Sequence, residues 1–178
     1  MDQQTTSAPP TQDLTRSELQ RRSFRLGVLA AILVAVSWGI GIAATYPGVG
    51  DWYAELRKPW FAPALWARPP ITVTLYALMA FALWRVLVRR RHAYWADQAW
   101  GISAFLLLLL LNAGWPWLFW RGHSTLWGVI DLAAQILMLA FTIFAFARLN
   151  PLAALTLVLV MIVVIFLTVV HFAIWYLN

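Results

Sequence analysis

The chain has 178 residues, of which 62% are hydrophobic and only 11% charged, whereas soluble domains average about 45–50% apolar and about 25% charged residues. A soluble fold of this length could not bury so much apolar surface, so lipid must cover much of it. The absence of cysteine excludes disulfides, thiolate nucleophiles and cysteine-ligated metal sites. The net charge of +6 comes mainly from arginines beside apolar segments. This pattern indicates that the arginines set the membrane topology and contact lipid headgroups, and it does not favour binding to nucleic acid.

Residues 1–23 are rich in Thr, Gln, Ser and Pro and show no apolar periodicity. This composition predicts a disordered tail that becomes basic at Arg16, Arg21 and Arg22. The apolar run that follows is too long for the hydrophobic region of a signal peptide, and no small-residue cleavage site ends it before further spans begin. We therefore predict a tail over residues 1–23 and a membrane domain over residues 24–178.

Five apolar segments follow in this membrane domain, each near or above the roughly 20 residues that a helix needs to cross a bilayer. Short polar or basic breaks separate them, and Pro151 restarts the last one at a position that a helix tolerates. The pattern predicts an all-α integral membrane protein, a bundle of five transmembrane helices over Phe24–Tyr46, Pro70–Val88, Ala99–Trp120, Thr125–Ala147 and Pro151–Leu177.

Basic residues beside the spans predict the orientation, because cytoplasmic loops carry an excess of Lys and Arg. Eight lie on the side of the N-terminal tail: Arg16, Arg21, Arg22, Arg25, Arg89, Arg90, Arg91 and Arg148. Four lie on the other side: Arg57, Lys58, Arg68 and Arg121. We therefore expect a cytoplasmic N-terminus, an outside C-terminus and, for a helical protein, the inner cell membrane.

The first span carries a small residue at every fourth position, which lets a neighbouring helix approach closely. This small-residue ridge consists of Ala31, Ala35, Gly39 and Ala43. It can serve packing within the chain, which we favour from the sequence, or the interface of a homodimer.

The first loop, residues 51–66, holds three Trp, one Tyr, one Phe and two Pro. It is too long for a tight turn and too aromatic for a solvated loop. One interpretation is an aromatic belt at the lipid headgroups, which composition alone favours. The other is a lid over a cavity in the bundle, formed by Trp52, Trp60, Phe61 and Trp66.

A few polar residues lie within the predicted spans, where facing lipid would be costly, so we expect them to face the interior. Asn112 shares a helix face with Trp115 and Phe119, while Asp131 and Gln135 are four residues apart on the fourth span. They can bond neighbouring helices or contact a ligand. The same alternatives apply to Tyr76 and His171 on the second and fifth spans.

Patterns typical of catalysis do not occur in the sequence. The spans hold no paired carboxylates and no Ser-His-acid set, and no Gly-rich phosphate loop is present. No second histidine lies at metal-ligand spacing in any span. We therefore predict neither catalytic residues nor a built-in metal site.

The loop and the later spans carry a series of spaced motifs: Trp52-Tyr53, Leu56, Lys58-Pro59-Trp60, Pro63, Trp66, Pro69, Leu75-Tyr76-x-x-Met79, Asn112-x-x-Trp115-Pro116-x-x-Phe119, Trp127-x-x-x-Asp131, Asn150-Pro151-Leu152-Ala153-Ala154 and Trp175-x-x-Asn178. Together they resemble the signature of the TspO/MBR family, the tryptophan-rich sensory proteins related to the mitochondrial translocator protein. The resemblance covers about residues 36–178. It implies a five-helix bundle, often a homodimer, with an aromatic cavity under the first loop that binds porphyrins and related hydrophobic ligands.

Several positions depart from the family pattern. Thr72 and Val163 stand where the family has a tryptophan, Arg68 replaces an aromatic or small apolar residue, and His171 replaces an asparagine. Two missing indoles remove stacking surfaces worth about 0.5–1.5 kcal/mol each. The resemblance therefore implies the family fold, whereas the loss of both tryptophans argues against photo-oxidation of porphyrin.

From residues and resemblance together we predict a binder of hydrophobic small ligands, porphyrin-like or sterol-like, that acts as a sensor, regulator or carrier. The expected partners are the bilayer, the ligand and a second copy of the chain, and we expect no nucleic acid. We expect no resident cofactor other than a bound porphyrin or haem, and His171 could ligate the haem iron. A porphyrin-degrading enzyme and a structural assembly partner are the alternatives. The predicted ligand-binding residues are Trp52, Trp60, Phe61, Trp66, Tyr76, Asn112, Trp115, Phe119, Asp131 and His171.

Overall fold

The computed structural model describes residues 16–48, 50–89 and 95–178, and over these residues it consists of helices and short connections. The α-helices are α1 (Arg16–Gly48), α2 (Asp51–Glu55), α3 (Arg68–Val88), α4 (Trp95–Pro116), α5 (Thr125–Leu149) and α6 (Pro151–Leu177). All except α2 are long and apolar enough to cross a membrane. The predicted all-α bundle of five spans is therefore confirmed.

The first helix begins earlier than the sequence indicated. α1 starts at Arg16, so residues 16–23 of the predicted tail are helical. This segment contains Glu18, Leu19, Gln20 and Arg21, which are good helix formers, and the acidic Glu18 lies in the first turn, where it complements the helix dipole. The rest of the predicted tail, residues 1–15, lies outside the described residues.

The five long helices form a ring in which each packs against two others. α1 lies between α3 and α4, and α6 lies between α3 and α5, while α4 and α5 close the ring. Large apolar side chains fill the centre, with the rings of Phe105 and Phe146 stacked at 5.7 Å between centroids. The core also holds Met79, Leu83, Leu139 and Leu157, each at most 2% exposed.

Polar contacts join α1 to its neighbours and select its inward face. Ser37 Oγ donates to the carbonyl of Leu109 on α4 at 2.8 Å, and Trp84 Nε1 on α3 donates to the carbonyl of Ser23 at 3.0 Å. Ala30, Val34 and Ala44 are buried beside these contacts.

The small-residue ridge points away from the bundle, so the expected packing within the chain is wrong. Ala31, Ala35, Gly39 and Ala43 are all exposed, and a Cβ added at Gly39 would meet no atom within 4 Å. Lipid is as apolar as the interior of the bundle. The apolar character of a helix face therefore does not show whether that face packs against another helix or against lipid.

The third span changes its helical form near its end. Pro116 lacks an N–H and interrupts the α-helical bonds, after which Trp117–Arg121 forms a π-helical turn closed by Gly122 N–H donating to the Trp117 carbonyl at 2.9 Å. The sequence predicted one regular helix over Ala99–Trp120. The wider turn instead buries the adjacent side chains of Phe119 and Trp120, which are 0% and 4% exposed.

Candidate functional site

The first loop covers one end of the bundle, which we call the loop end. It comprises α2, a turn closed by Ala62 N–H donating to the Pro59 carbonyl at 3.0 Å, and a 3-10 turn over Leu65–Ala67. Tyr53 of α2 is only 4% exposed and packs against Phe119 and Trp120 of the π-helical turn. The loop is therefore a packed part of the fold.

An aromatic cluster lies directly under the loop, and we define it as Trp52, Tyr53, Trp115, Phe119, Trp120 and His171. Phe119 is its centre, because its ring stacks on Trp115 at 5.0 Å and meets the edges of Trp52 at 5.5 Å and His171 at 4.9 Å. The structure thus brings together four of the predicted ligand-binding residues, contributed by α2, α4 with its π-helical turn, and α6.

Gly128 on α5 allows this cluster to form. A Cβ added there would lie 2.8 Å from Cδ2 of Phe119, closer than real side chains approach one another. Glycine at this position therefore lets α5 pack directly on the central ring of the aromatic cluster.

Nitrogen atoms of Trp115 and His171 in the aromatic cluster have no hydrogen-bond partner among the described residues. Nε1 of Trp115 is buried and has no hydrogen-bond acceptor among the described residues. The ring of His171 is 7% exposed, and its Nδ1 lies 2.7 Å from the carbonyl of Leu167, which leaves Nε2 without a hydrogen bond to a described residue. Both atoms are available to a ligand that enters the aromatic cluster.

A chain of hydrogen-bonded side chains crosses the interior from α3 to α5. The hydroxyl of Tyr76 donates to Oδ1 of Asn112, whose Nδ2 donates to Oε1 of Gln135 at 3.2 Å. Nε2 of Gln135 donates in turn to Oδ2 of Asp131 at 2.5 Å. This polar chain uses Tyr76, Asn112 and Asp131 from the prediction, and Asp131 and Gln135 are buried as expected.

Two of the four predicted lid residues do not cover the interior. Trp60 lies in the turn that starts at Pro59 and is 95% exposed, while Trp66 lies in the 3-10 turn and is 80% exposed. Only Trp52 and Phe61 pack on the cluster side of the loop. The lid interpretation is therefore wrong for Trp60 and Trp66, whose position suits an aromatic belt at the headgroups.

Two cations surround Tyr53. The guanidinium of Arg68 donates to the Tyr53 hydroxyl and lies 4.6 Å from the centroid of its ring, and Nζ of Lys58 lies at the same distance. Lys58 also donates to the carbonyls of Ala54 and Leu56, the first of which lies in α2. Arg68 and Lys58 thereby connect the loop to the start of α3.

Asn178 fastens the loop to the end of α6. Its Oδ1 accepts the N–H of Arg57 at 2.9 Å, and its Nδ2 donates to the carbonyl of Arg57 at 3.0 Å. The side-chain amide thus bonds both the backbone N–H and the backbone carbonyl of one residue, as a neighbouring β-strand would. The loop is thus held at its middle as well as at its two ends.

Replacing Asn178 with alanine is expected to loosen the loop without unfolding the bundle. The two lost bonds contribute about 1 kcal/mol each, so amide hydrogen exchange at Arg57 and its neighbours should accelerate about ten-fold or more. Tyr176→Phe is the matched control, since Tyr176 lies on the same helix end and is 79% exposed. Unchanged exchange in Asn178→Ala would show that the clamp does not hold the loop.

A groove of about 450 Å³ runs between α3 and α6 on the outside of the ring. Val163, one of the two positions that depart from the family pattern, lies in its wall, whereas Thr72 does not. The lining residues are Pro70, Ile71, Thr74, Leu75, Leu78, Leu159, Ile162 and Val163.

Several residues of the site were not among the predicted ligand-binding residues. Tyr53 and Trp120 belong to the aromatic cluster, and Gln135 is the middle of the polar chain. The family motif marked Tyr53, and the spacing to Asp131 marked Gln135. Neither marked Trp120, because only the π-helical turn brings it inward next to Phe119. Within the described segments, no group of three or more His, Cys, Asp or Glu could hold a metal ion.

Comparison with known proteins gives the family. The model of the TspO/MBR family matches residues 28–177. The tryptophan-rich protein TspO of Chlorobaculum tepidum is 31% identical over 83% of this chain and 94% of its own length, and that of Archaeoglobus fulgidus is 29% identical over 86% and 97%. The translocator protein of Sus scrofa is 31% identical over 58% of this chain and 60% of its own. The chain is an integral membrane protein that belongs to the TspO/MBR family.

Proposed function

We propose that the protein binds a hydrophobic small molecule, porphyrin-like or sterol-like, and acts as a sensor, regulator or carrier in the membrane. One observation carries this proposal: the indole N–H of Trp115 is buried within the aromatic cluster and has no acceptor among the described residues. A buried donor without a partner costs about 1–3 kcal/mol. An acceptor on a bound ligand would recover that cost.

The surroundings of Trp115 are those of a ligand site. Binding pockets combine apolar and aromatic walls with a few polar groups that orient the ligand. Phe119 supplies such a wall, Nε2 of His171 supplies a second polar atom, and Asn112 of the polar chain lies about one turn before Trp115. A hydrophobic ligand with one or two acceptors suits this arrangement.

A flat macrocycle requires the aromatic cluster to open. The stacked rings of Trp115 and Phe119 are 5.0 Å apart, whereas a planar guest between two rings needs about 7 Å, twice the contact distance of carbon atoms. Porphyrin or haem would therefore bind by separating these rings. His171 Nε2 would ligate a haem iron only in that opened arrangement.

Replacing Trp115 with phenylalanine tests the proposal, because it removes the N–H and keeps an aromatic ring. We expect protoporphyrin IX or cholesterol to bind about five-fold more weakly, in line with one hydrogen bond. The unliganded variant should lose little stability, since removal of the unsatisfied donor offsets part of the packing that the smaller ring gives up. Both quantities are measurable in nanodiscs, by quenching of the remaining tryptophans and by thermal unfolding.

Trp100→Phe is the matched control for this measurement. Trp100 lies on the same helix, is 70% exposed and is not part of the aromatic cluster. It should change neither affinity nor stability. Equal affinities for Trp115→Phe and Trp100→Phe would contradict a ligand contact at Trp115.

The same titration separates this proposal from its two alternatives. Saturable quenching supports a binder, whereas light-dependent loss of porphyrin absorbance would indicate a porphyrin-degrading enzyme. No response to either ligand would favour an assembly partner.

We also propose the inner cell membrane, with the loop end outside and the N-terminus in the cytoplasm. The excess of Arg on the side of Arg89 and Arg148 supports this orientation. A homodimer is proposed through α1, because the small-residue ridge faces away from the bundle.

A further inference from the structure

The groove between α3 and α6 has an aliphatic lining. None of its eight lining residues carries an aromatic ring. The one hydroxyl, on Thr74, donates to the carbonyl of Pro70 at 2.8 Å within its own helix. The groove therefore offers apolar contact along its length and no free hydroxyl proton, which suits an aliphatic chain better than a macrocycle with polar edges.

Arg68 is not one of the lining residues but is next to the loop end of this groove, and its guanidinium carbon lies 4.6 Å from the ring centroid of Tyr53 and 5.8 Å from that of Trp120. Arg68 precedes the lining residue Pro70 by two positions, and the helical repeat places it on the same side of α3 as Ile71 and Leu75. The side chain of Arg68 is half-buried, and of its five N–H donors one is used by the Tyr53 hydroxyl among the described residues. Several donors are thus left for an anion.

A second cation reinforces the first. Nζ of Lys58 and the guanidinium carbon of Arg68 each lie 4.6 Å from the Tyr53 ring centroid, so they are no further apart than twice this distance. Among the side chains that the structure describes, no carboxylate forms an ion pair with either of them. Two neighbouring like charges without a counter-ion favour the arrival of an anion.

We propose that the groove binds a single-chain aliphatic carboxylate, with its chain between α3 and α6 and its carboxylate on Arg68, assisted by Lys58. The planar fork of the guanidinium pairs two N–H groups with the two oxygens of a carboxylate. A groove between only two helices accommodates one chain. The proposal rests on the proposed function in that the protein binds hydrophobic ligands, and it names a ligand class and a groove that adjoins the aromatic cluster at Arg68.

The test compares brominated stearic acid with its methyl ester, which has the same chain but carries a methyl group in place of the negative charge. Bromine quenches tryptophan fluorescence, so affinities can be measured in nanodiscs of phosphatidylcholine. We expect the acid to bind about ten-fold more tightly than the ester, as for a hydrogen bond to a charged group. Arg68→Gln should abolish this preference, whereas Arg68→Lys, which keeps the charge but not the fork, and Lys58→Gln should each reduce it in part.

A second pair of variants tests the groove itself. Val163→Phe fills it and should weaken acid and ester alike. Val169→Phe is the matched control, because Val169 lies on the same helix, is 51% exposed and does not line the groove. Porphyrin affinity should be unaffected by both variants, since the aromatic cluster is not touched.

The proposal would be overturned if the natural protein bound acid and ester with equal affinity, or if the preference for the acid survived in Arg68→Gln. It would also be overturned if phosphatidylglycerol displaced the acid as effectively as unlabelled stearate does. That last result would assign the cations to a phospholipid headgroup. Binding of protoporphyrin IX with no binding of acid or ester would also overturn it, while leaving the proposed function intact. Loss of all ligand binding would instead contradict the proposed function.

Discussion

Replacing Asn112 with leucine should destabilise the bundle by about 1–3 kcal/mol, because it removes the link between α3 and α5 in the polar chain. The Tyr76 hydroxyl then loses its acceptor and Oε1 of Gln135 loses its donor. Hydrogen bonds between membrane helices average only about 0.6 kcal/mol. The larger expected effect comes from leaving two interior polar groups without partners. Unfolding by SDS, followed by circular dichroism in mixed micelles, measures the difference.

Two further variants serve as controls for the loss of stability in Asn112→Leu. Thr168→Val removes a hydroxyl that donates to the Val164 carbonyl in its own helix, so it should cost less than about 0.5 kcal/mol. The double variant Asn112→Leu with Tyr76→Phe should recover part of the loss, because removing both partners of the Tyr76–Asn112 bond leaves only Oε1 of Gln135 unsatisfied. An Asn112→Leu variant as stable as Thr168→Val would show that the polar chain does not join the helices.

The number of spans and their approximate ends were predictable from the sequence because lipid imposes a minimum length on every apolar segment. The inward direction of Asp131, Gln135 and His171 was predictable for a related reason, since lipid penalises polar side chains. The inward face of α1 was not. Its two sides are equally apolar, so the small-residue ridge could be assigned to the interior although it faces outward.

The candidate site was predictable where a motif or a polar residue marked it, and not where local backbone geometry decides. Trp52, Trp115, Phe119 and His171 do meet under the loop. The turn at Pro59 decides the positions of its two central residues, because Trp60 projects away from the bundle while Phe61 packs toward the aromatic cluster. Side-chain type alone could not distinguish a lid from a belt.

Asn178 illustrates a second limit. Its bonds with Arg57 join residues 121 positions apart, and no periodicity in the chain predicts such a pair. The family motif marked the residue without giving its role. The structure supplies that role as a clamp, which holds the loop to the end of α6.

Gly128→Ala should destabilise the protein by about 1–3 kcal/mol, the usual cost of overpacking a well-filled core. The added Cβ would lie 2.8 Å from Cδ2 and 3.3 Å from Cβ of Phe119. Phe119 cannot move aside easily, because it is fully buried and in contact with Trp115, Trp52 and His171. The clash must therefore be relieved by moving α5 away from the aromatic cluster.

The sign of the change in stability is a sharper test than its size. Alanine within a helix otherwise stabilises a protein by about 0.5–1 kcal/mol relative to glycine, so a loss of stability in Gly128→Ala points to the clash. Gly114 on α4 is the matched control, because a Cβ at this position meets nothing within 4 Å. Gly114→Ala should be as stable as the natural protein or more stable, measured by the same SDS unfolding. If Gly128→Ala behaves as Gly114→Ala does, α5 does not pack on Phe119 through this glycine. If it alone is destabilised, the close approach of α5 to the central ring is what holds the aromatic cluster closed in the absence of ligand.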